Sequence, residues 1–389
     1  MIVLRTGCAI TCVRTLVRVK PGRTPPKDRQ VAMKQNSMLL IASLMMLLVA
    51  GMTNSASAAK KDHKTSGTMH WYKGNTHTHT TMSDGDSTPG VVARWYRDNN
   101  YDFLFLTDHN VLVDIAQLQH EIADENAASH HKPFVLVPGE EVSVNYQDTG
   151  IARKRALHTC GLDIKTTVPM PVGGNVVQLL QKSIDGIIAA GGMPSVNHPN
   201  FLWSLTADDL FALKHLNHFE IYNGHPQTNN LGGGGVPGTE AIWDILLTRG
   251  RLYYGMAVDD AHNFKVFRRE LSNPGRGWVM VRAPELTPHA IVHALETGNY
   301  YPSTGVLIDD IVTSHGKGLA FHIKKKKLNK FKTEFFGTGG KLLKTDESMQ
   351  PHYEFQSGDI YVRARITSSA GEYAWTQPVF VPGHEAKSW

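Results

Sequence analysis

Cysteine is scarce, at three in 389 residues, and only Cys160 lies beyond residue 58. A single thiol closes no internal disulfide, so stability beyond that point must come from core packing, and a thiolate metal cage is excluded. Long apolar runs are missing as well. The longest, Met38 to Met52, is 15 residues, short of the roughly 20 that a membrane-spanning helix needs. Also absent are a serine nucleophile elbow, a phosphate-binding glycine loop ending in Lys-Ser/Thr, and a Cys/His catalytic pair, which removes those routes to catalysis.

A surplus of positive charge also disappears. Met33-Lys34, the apolar run and Ala56-Ser57-Ala58 have the order of a secretory signal peptide, residues 33–58, cleaved after Ala58. Residues 1–32 read as an upstream extension, and 59–70 as a polar linker. Of 40 Lys/Arg and 35 Asp/Glu, eight and one fall in residues 1–58, leaving 32 against 34. The formal +5 therefore belongs to the removed segment, and no nucleic-acid partner is expected. The residue directly after the cleavage position is Ala59 and not Cys, so no membrane anchor is expected after cleavage. The predicted location is periplasmic or secreted.

Histidine is what the chain holds in excess: all twenty lie after residue 58. From 71 to 305, short apolar runs alternate with helical patterns such as 88–99, where Thr88-Pro89 supplies a cap and a first-turn proline. Repeated βα units of this kind predict an α/β fold with parallel strands and barrel-like closure. After 305 the runs become short and alternating, predicting a small antiparallel β-sandwich domain over 306–389. Its run of four lysines, 324–327, reads as a charged strand edge.

The histidines fall where those strands end. In Asn75-Thr76-His77-Thr78-His79, residues two apart share a strand face, so two imidazoles project together, and Asp84 follows in a Ser-Asp-Gly turn. Phe103–Leu106 leads into Thr107-Asp108-His109-Asn110, and Val135–Val137 into Gly139-Glu140-Glu141. Leu157 leads into His158, Val196 into Asn197-His198-Pro199, and Val258 into Asp259-Asp260-Ala261-His262. In barrels of βα units the working residues stand at these strand ends. Imidazoles and carboxylates without thiolate suit Zn²⁺, Mn²⁺ or Fe²⁺.

This order of motifs (HTHTxxSDG, TDHN, GxE, an isolated His, HP, DxH) resembles the polymerase-and-histidinol-phosphatase (PHP) family of metal-dependent hydrolases over residues 71–305. The resemblance implies a distorted (β/α)7 barrel holding two or three divalent metal ions. It implies one ion on His77, His79, Glu141 and Asp260, a second on Glu141, His158 and His198, and a third on Asp84, His109 and His262. The family's spacing favours Glu141 over Glu140, and a shared strand face with His262 favours Asp260 over Asp259. Asp108, His158 and Asp260 are the candidate catalytic residues. Paired metals would ionise a bridging water at neutral pH and clamp the attacked oxygen.

The expected substrate is a small molecule, a phosphate ester, with Arg153, Lys154 and Arg155 as candidate phosphate contacts and Trp203 as a candidate pocket wall. Gly232–Gly235 reads as a flexible flap, and His289 and His293 as surface residues. The C-terminal stretch Trp375–Phe380 also resembles the carbaryl-hydrolase-like metallohydrolases, which implies a carbamate, carboxylic-ester or amide hydrolase as the alternative. A non-catalytic metal- or glycan-binding protein is the third reading.

Overall fold

The structure is a computed structural model that describes residues 68–148, 154–314, 317–326 and 328–384. The expected extension, signal peptide and most of the linker, with Arg153 and Lys327, lie outside the described residues. Trp71 and Tyr72 open strand β1 (His70–Asn75), followed by helix α1 (Pro89–Asp98), β2 (Phe103–Leu106), α2 (Ala116–Ser129), β3 (Val135–Gln147) and β4 (Lys154–Leu162). Next come α3 (Val176–Ala189), β5 (Met193–Val196), α4 (Ala207–Ala212), β6 (His218–Asn223), α5 (Thr239–Thr248), β7 (Tyr254–Val258), β8 (Trp278–Ala283), α6 (Pro288–Glu296) and β9 (Tyr300–Ser303). The C-terminal part adds β10 (Ile308–Ser314), β11 (Gly318–Ile323), β12 (Phe331–Gly337), β13 (Lys341–Asp346), β14 (His352–Glu354), β15 (Tyr361–Ser368), β16 (Tyr373–Trp375) and β17 (Val379–Phe380).

Local chemistry explains the helix starts. Thr88 accepts a hydrogen bond from Val91 N ahead of Pro89, and Asn175 and Gln178 form a reciprocal capping box at α3. All four residues of β2 are buried, as a strand covered on both faces requires.

The result is a mixed α/β protein with one large sheet, ordered β13-β12-β15-β16-β9-β8-β1-β2-β3-β4-β5-β6-β7. The expected parallel pairing holds for β1-β2-β3 and β5-β6-β7 but fails at β4 and at β8, each antiparallel to both its neighbours. Only residues 148–153 join β3 to β4, too few for the crossover that parallel strands need, so the chain turns back as a hairpin. β3 changes partner at Pro138-Gly139, leaving β2 for β4. A side chain at Gly139 would lie 2.9 Å from Thr107 Cγ2 and 3.1 Å from Leu106 O, so the switch needs glycine.

Among the described residues no ladder joins β7 to β1. Their tails meet beyond the strands, where His79 N donates to Ala261 O (2.9 Å) and Asp260 N donates to His77 O (3.0 Å). The C-terminal strands are continuous with the large sheet through one pairing, Ala374 with Ser303, while β10-β11-β14 form a separate three-stranded sheet. Ile308, Leu319, Phe321 and Tyr353 share a core with Phe335, Ala364 and Ile366 of the large sheet. Lys326, in the lysine run, pairs with Glu372 at 2.5 Å. No helix among the described residues is long and apolar enough to cross a membrane.

Candidate metal centre

All nine ligand-type side chains converge on one cluster. His77 Nε2 and His79 Nε2 are 3.0 Å apart. Asp260 Oδ1 lies 3.4 Å from the former and 3.2 Å from the latter. Glu141 is the hub: its Oε1 stands 3.4 Å from His77 Nε2, 3.1 Å from His158 Nδ1 and 3.4 Å from His198 Nε2. Its Oε2 stands 3.5 Å from His79 Nε2 and 2.6 Å from His109 Nδ1. At the rim, Asp84 reaches His79 (3.7 Å), His109 (3.6 Å) and His262 (3.3 Å). Three overlapping sets each bring their ligand atoms within 4.8 Å of one another: His79, Asp84, His109 and His262; His77, His79 and Glu141; His109, Glu141 and His158.

The backbone reaches this arrangement differently from a simple pleat. β7 ends at Val258, and Asp260 lies in the loop beyond it with φ +49°, so Asp260 and His262 do not meet as neighbours on one strand face. His198 has φ +20°. Such backbone is costly for residues other than glycine and is held by its surroundings. Glu141 lies inside β3, paired with Cys160, because the strand runs on past Gly139 into the hairpin.

The neighbouring acids point elsewhere. Glu140 accepts from Val168 N at 2.9 Å. Asp259 accepts from the backbone N–H groups of Gly275, Arg276 and Gly277 and from Tyr96 Oη. Asp108 departs from its expected catalytic place: its carboxylate accepts from Thr80 N (2.8 Å), Thr80 Oγ1 (2.9 Å) and Ser83 Oγ (2.7 Å). Every one of those bonds holds the loop that carries His79 and Asp84, so Asp108 positions ligands. Arg155 is directed to Ser204 O and Asp209, away from the cluster. Cys160 is buried, and burial pushes its thiol up to about 12, so no thiolate forms.

Sequence reasoning missed three supports. Glu220, within β6, holds His77 Nδ1 at 2.7 Å and accepts from His198 N at 2.7 Å. Asn197 Nδ2 donates to Glu141 Oε1 at 2.6 Å, and Asn223 Nδ2 donates to Asp260 Oδ2 at 3.1 Å. Only Asn197 left a signal in sequence, its adjacency to His198.

The donor set fits divalent cations. Nε2 of His158 and Nδ1 of His198 are buried without a hydrogen-bond partner, which is costly unless a cation takes a lone pair. Electrostatics agree. Burial opposes charge on all six imidazoles and wins at His79, pushed down to about 3, and at His158, also lowered, yet Asp260, Asp84 and Glu141 hold His77, His109, His198 and His262 above the usual imidazole range, His109 at about 10. Burial likewise opposes ionisation of Glu141, but His109, His158 and His77 keep it well below the usual carboxylate range. Positive charge is favoured here, and bound cations can replace the protons that otherwise supply it.

Beside the cluster opens a cavity of about 1040 Å³. Asp84, His109, Glu141, His158, His198, Asp260 and His262 line it together with Val144, Tyr146, Met170, Val172, Leu179 and Phe201. Trp203 and the 232–235 glycines are not part of this lining.

No family model matches the chain. Over 94 residues it is 31% identical to the 5'-3' exoribonuclease Rnm of Escherichia coli, a match covering 24% of this chain and 28% of that protein. The chain thus spans about a quarter of the length of that curated relative. A two-domain Bacteroides vulgatus protein containing a PHP-like metal-dependent phosphoesterase is similar over 77% of this chain and 90% of its own, with 14% identity and a TM-score of 0.44. The lesion-specific endonuclease EndoQ of Pyrococcus furiosus is similar over 59% of this chain and 57% of its own, with 12% identity and a TM-score of 0.33. In the order of its ligand-type residues along the chain the protein resembles the PHP-like metal-dependent hydrolases, and in its structure those residues converge on one cluster.

Proposed function

We propose that the protein is a metal-dependent phosphoesterase acting on a small organic phosphate ester. One observation carries this reading: six imidazoles and three carboxylates crowd one site beside a cavity, with two buried ring nitrogens, His158 Nε2 and His198 Nδ1, left unpartnered. Zn²⁺, Mn²⁺ or Fe²⁺ would be held by His77, His79, Glu141 and Asp260, by Glu141, His158 and His198, and by Asp84, His109 and His262. Two or three such ions supply an ionised water as nucleophile and charge stabilisation for the attacked group. The chain's own part is to fix the ligands: Glu220 orients His77, Asn197 orients Glu141, and Asn223 orients Asp260.

The reading also includes export, with signal peptide 33–58 cleaved after Ala58 and the mature protein in the periplasm or secreted. Residues 71–305 form the distorted barrel of this reading, and 306–389 its β-sandwich domain. A second reading, hydrolysis of a carbamate, carboxylic ester or amide, is favoured by the apolar residues that line the same cavity. Because two similar proteins are nucleases, an oligonucleotide belongs in the test.

Full-length protein supplied with Mn²⁺ or Zn²⁺ is assayed on p-nitrophenyl phosphate, bis-p-nitrophenyl phosphate, p-nitrophenyl acetate, a 1-naphthyl carbamate and a single-stranded oligonucleotide, alongside metal analysis. Release from a phosphate ester supports the leading reading. Turnover of acetate or carbamate alone supports the second. Metal binding with no turnover, and no rate lost in His198→Ala, leaves a binding protein.

A further inference from the structure

The cavity has an imidazole that belongs to none of the ligand sets. His225 lines it, in the turn that follows β6. That turn is firmly held. The backbone N–H of His225 donates to Asn223 Oδ1 (2.8 Å), and its carbonyl accepts from Thr228 Oγ1 (2.8 Å) and Thr228 N (3.2 Å). Asn223 in turn donates through Nδ2 to Asp260 Oδ2 (3.1 Å) and Glu220 Oε2 (2.8 Å). One short segment therefore fixes both a ligand carboxylate and the His225 ring.

The ring's own contacts settle which nitrogen carries hydrogen. Gln227 N donates to Nδ1 at 3.3 Å, so Nδ1 is an acceptor and Nε2 bears the proton. A nitrogen that already accepts a backbone N–H is a poor metal ligand. The ring is steadied edge-to-face on Phe201, 5.6 Å between centroids, and stands 5.8 Å from the His262 ring. Among the described residues no acceptor meets Nε2–H, although the ring is more than half covered by its neighbours.

We infer that His225 is a substrate-binding residue whose Nε2–H donates to an oxygen of the ester held over the metal centre. This rests on the proposed hydrolase reading, since it needs an oxyanion or ester in that place. A donor to a charged oxygen in a recessed site contributes more than a neutral surface bond.

The test uses full-length protein loaded with Mn²⁺, as wild type, His225→Ala and His225→Gln. Bound metal is counted, inorganic phosphate is titrated by calorimetry, and kcat and KM are measured on the ester the wild type cleaves. Glutamine places an amide N–H near the position of Nε2. The expected result is unchanged metal content in both variants, phosphate binding weakened about 10- to 100-fold in His225→Ala, and recovery of most of it in His225→Gln. Three results overturn the inference: equal phosphate binding by His225→Ala, loss of metal in that variant, or no recovery in His225→Gln. A wild type that binds phosphate without cleaving any ester overturns the proposed function instead, and the phosphate titration then judges His225 alone. A wild type that binds no phosphate overturns the inference itself.

Discussion

His77 Nδ1 lies 2.7 Å from Glu220 Oε1, both side chains fully enclosed. The pairing fixes the ring so that Nε2 faces the cluster, and it raises the basicity of that nitrogen. Removing the charge while keeping the shape, as in Glu220→Gln, is expected to weaken metal binding about 10- to 100-fold with the fold retained. Metal titration followed by calorimetry checks this. Full affinity in the variant would show that Glu220 supports backbone only, through His198 N.

Each of the paired acids divides between chemistry and architecture. Glu141→Ala should lose bound metal and hydrolysis together. Glu140→Ala should keep both and lose about 1–3 kcal/mol of stability, because Val168 N is left without its acceptor. Asp260→Ala and Asp259→Ala should divide in the same way, the second losing stability because three backbone N–H groups lose their partner. Metal content beside denaturant midpoints separates the two classes, and a metal-depleted Glu140→Ala would reverse the choice of bridging ligand.

Metal uptake should release protons. His77, His109, His198 and His262 are held above the usual imidazole range, so cations must displace protons from them. Affinity is therefore expected to fall as pH falls. Calorimetry in buffers of different ionisation enthalpy measures the proton count, and an apparent enthalpy independent of buffer would refute it.

The C-terminal strands are anchored by a buried ion pair. Arg363 donates to Asp244 through Nε (2.8 Å) and Nη2 (2.6 Å), and Tyr361 Oη donates to the same carboxylate at 2.9 Å. Asp244→Ala leaves the enclosed guanidinium with only Glu240, and the expected loss is about 3–5 kcal/mol. Urea unfolding measures it. A loss below about 1 kcal/mol would mean that water or Glu240 replaces the carboxylate.

Lys73 gives a pH signature remote from metal chemistry. Its Nζ lies 3.7 Å from the Tyr101 ring centroid and 4.1 Å from that of Trp278. Burial brings its pKa down to about 8, against the pull of Asp259. The unfolded lysine titrates near 10.4, so between about pH 8 and pH 10 the unfolded chain binds more protons and stability rises with pH. Relative to Lys73→Met, the wild type should gain stability between pH 7.5 and pH 9.5. A constant difference in denaturant midpoint across that range would sink the assignment.

Much of the centre was legible because ligand chemistry leaves its mark in residue type. His77, His79, His109, His198 and His262 follow the ends of β1, β2, β5 and β7, as a barrel of βα units leads one to expect, whereas His158 stands inside β4. Asp260 does join the cluster, but not through the strand face expected for it: it lies in the loop after β7 with φ +49°. Asp108 misled because a carboxylate beside a ligand histidine looks the same in sequence whether it faces a substrate or ties down a loop. The antiparallel β4 was hidden because periodicity carries no strand direction.

The sequence by itself determined the elements and the donors: local periodicity, capping chemistry and side-chain type are properties of neighbouring residues. Only the tertiary structure decided which donors touch. Glu220, Asn197 and Asn223 hold ligands up to 143 positions away, and His225 faces the cavity because of a turn built on Asn223. Contacts between residues so far apart depend on how strands are ordered and directed, and that is fixed by packing of the whole chain and not by any stretch of it.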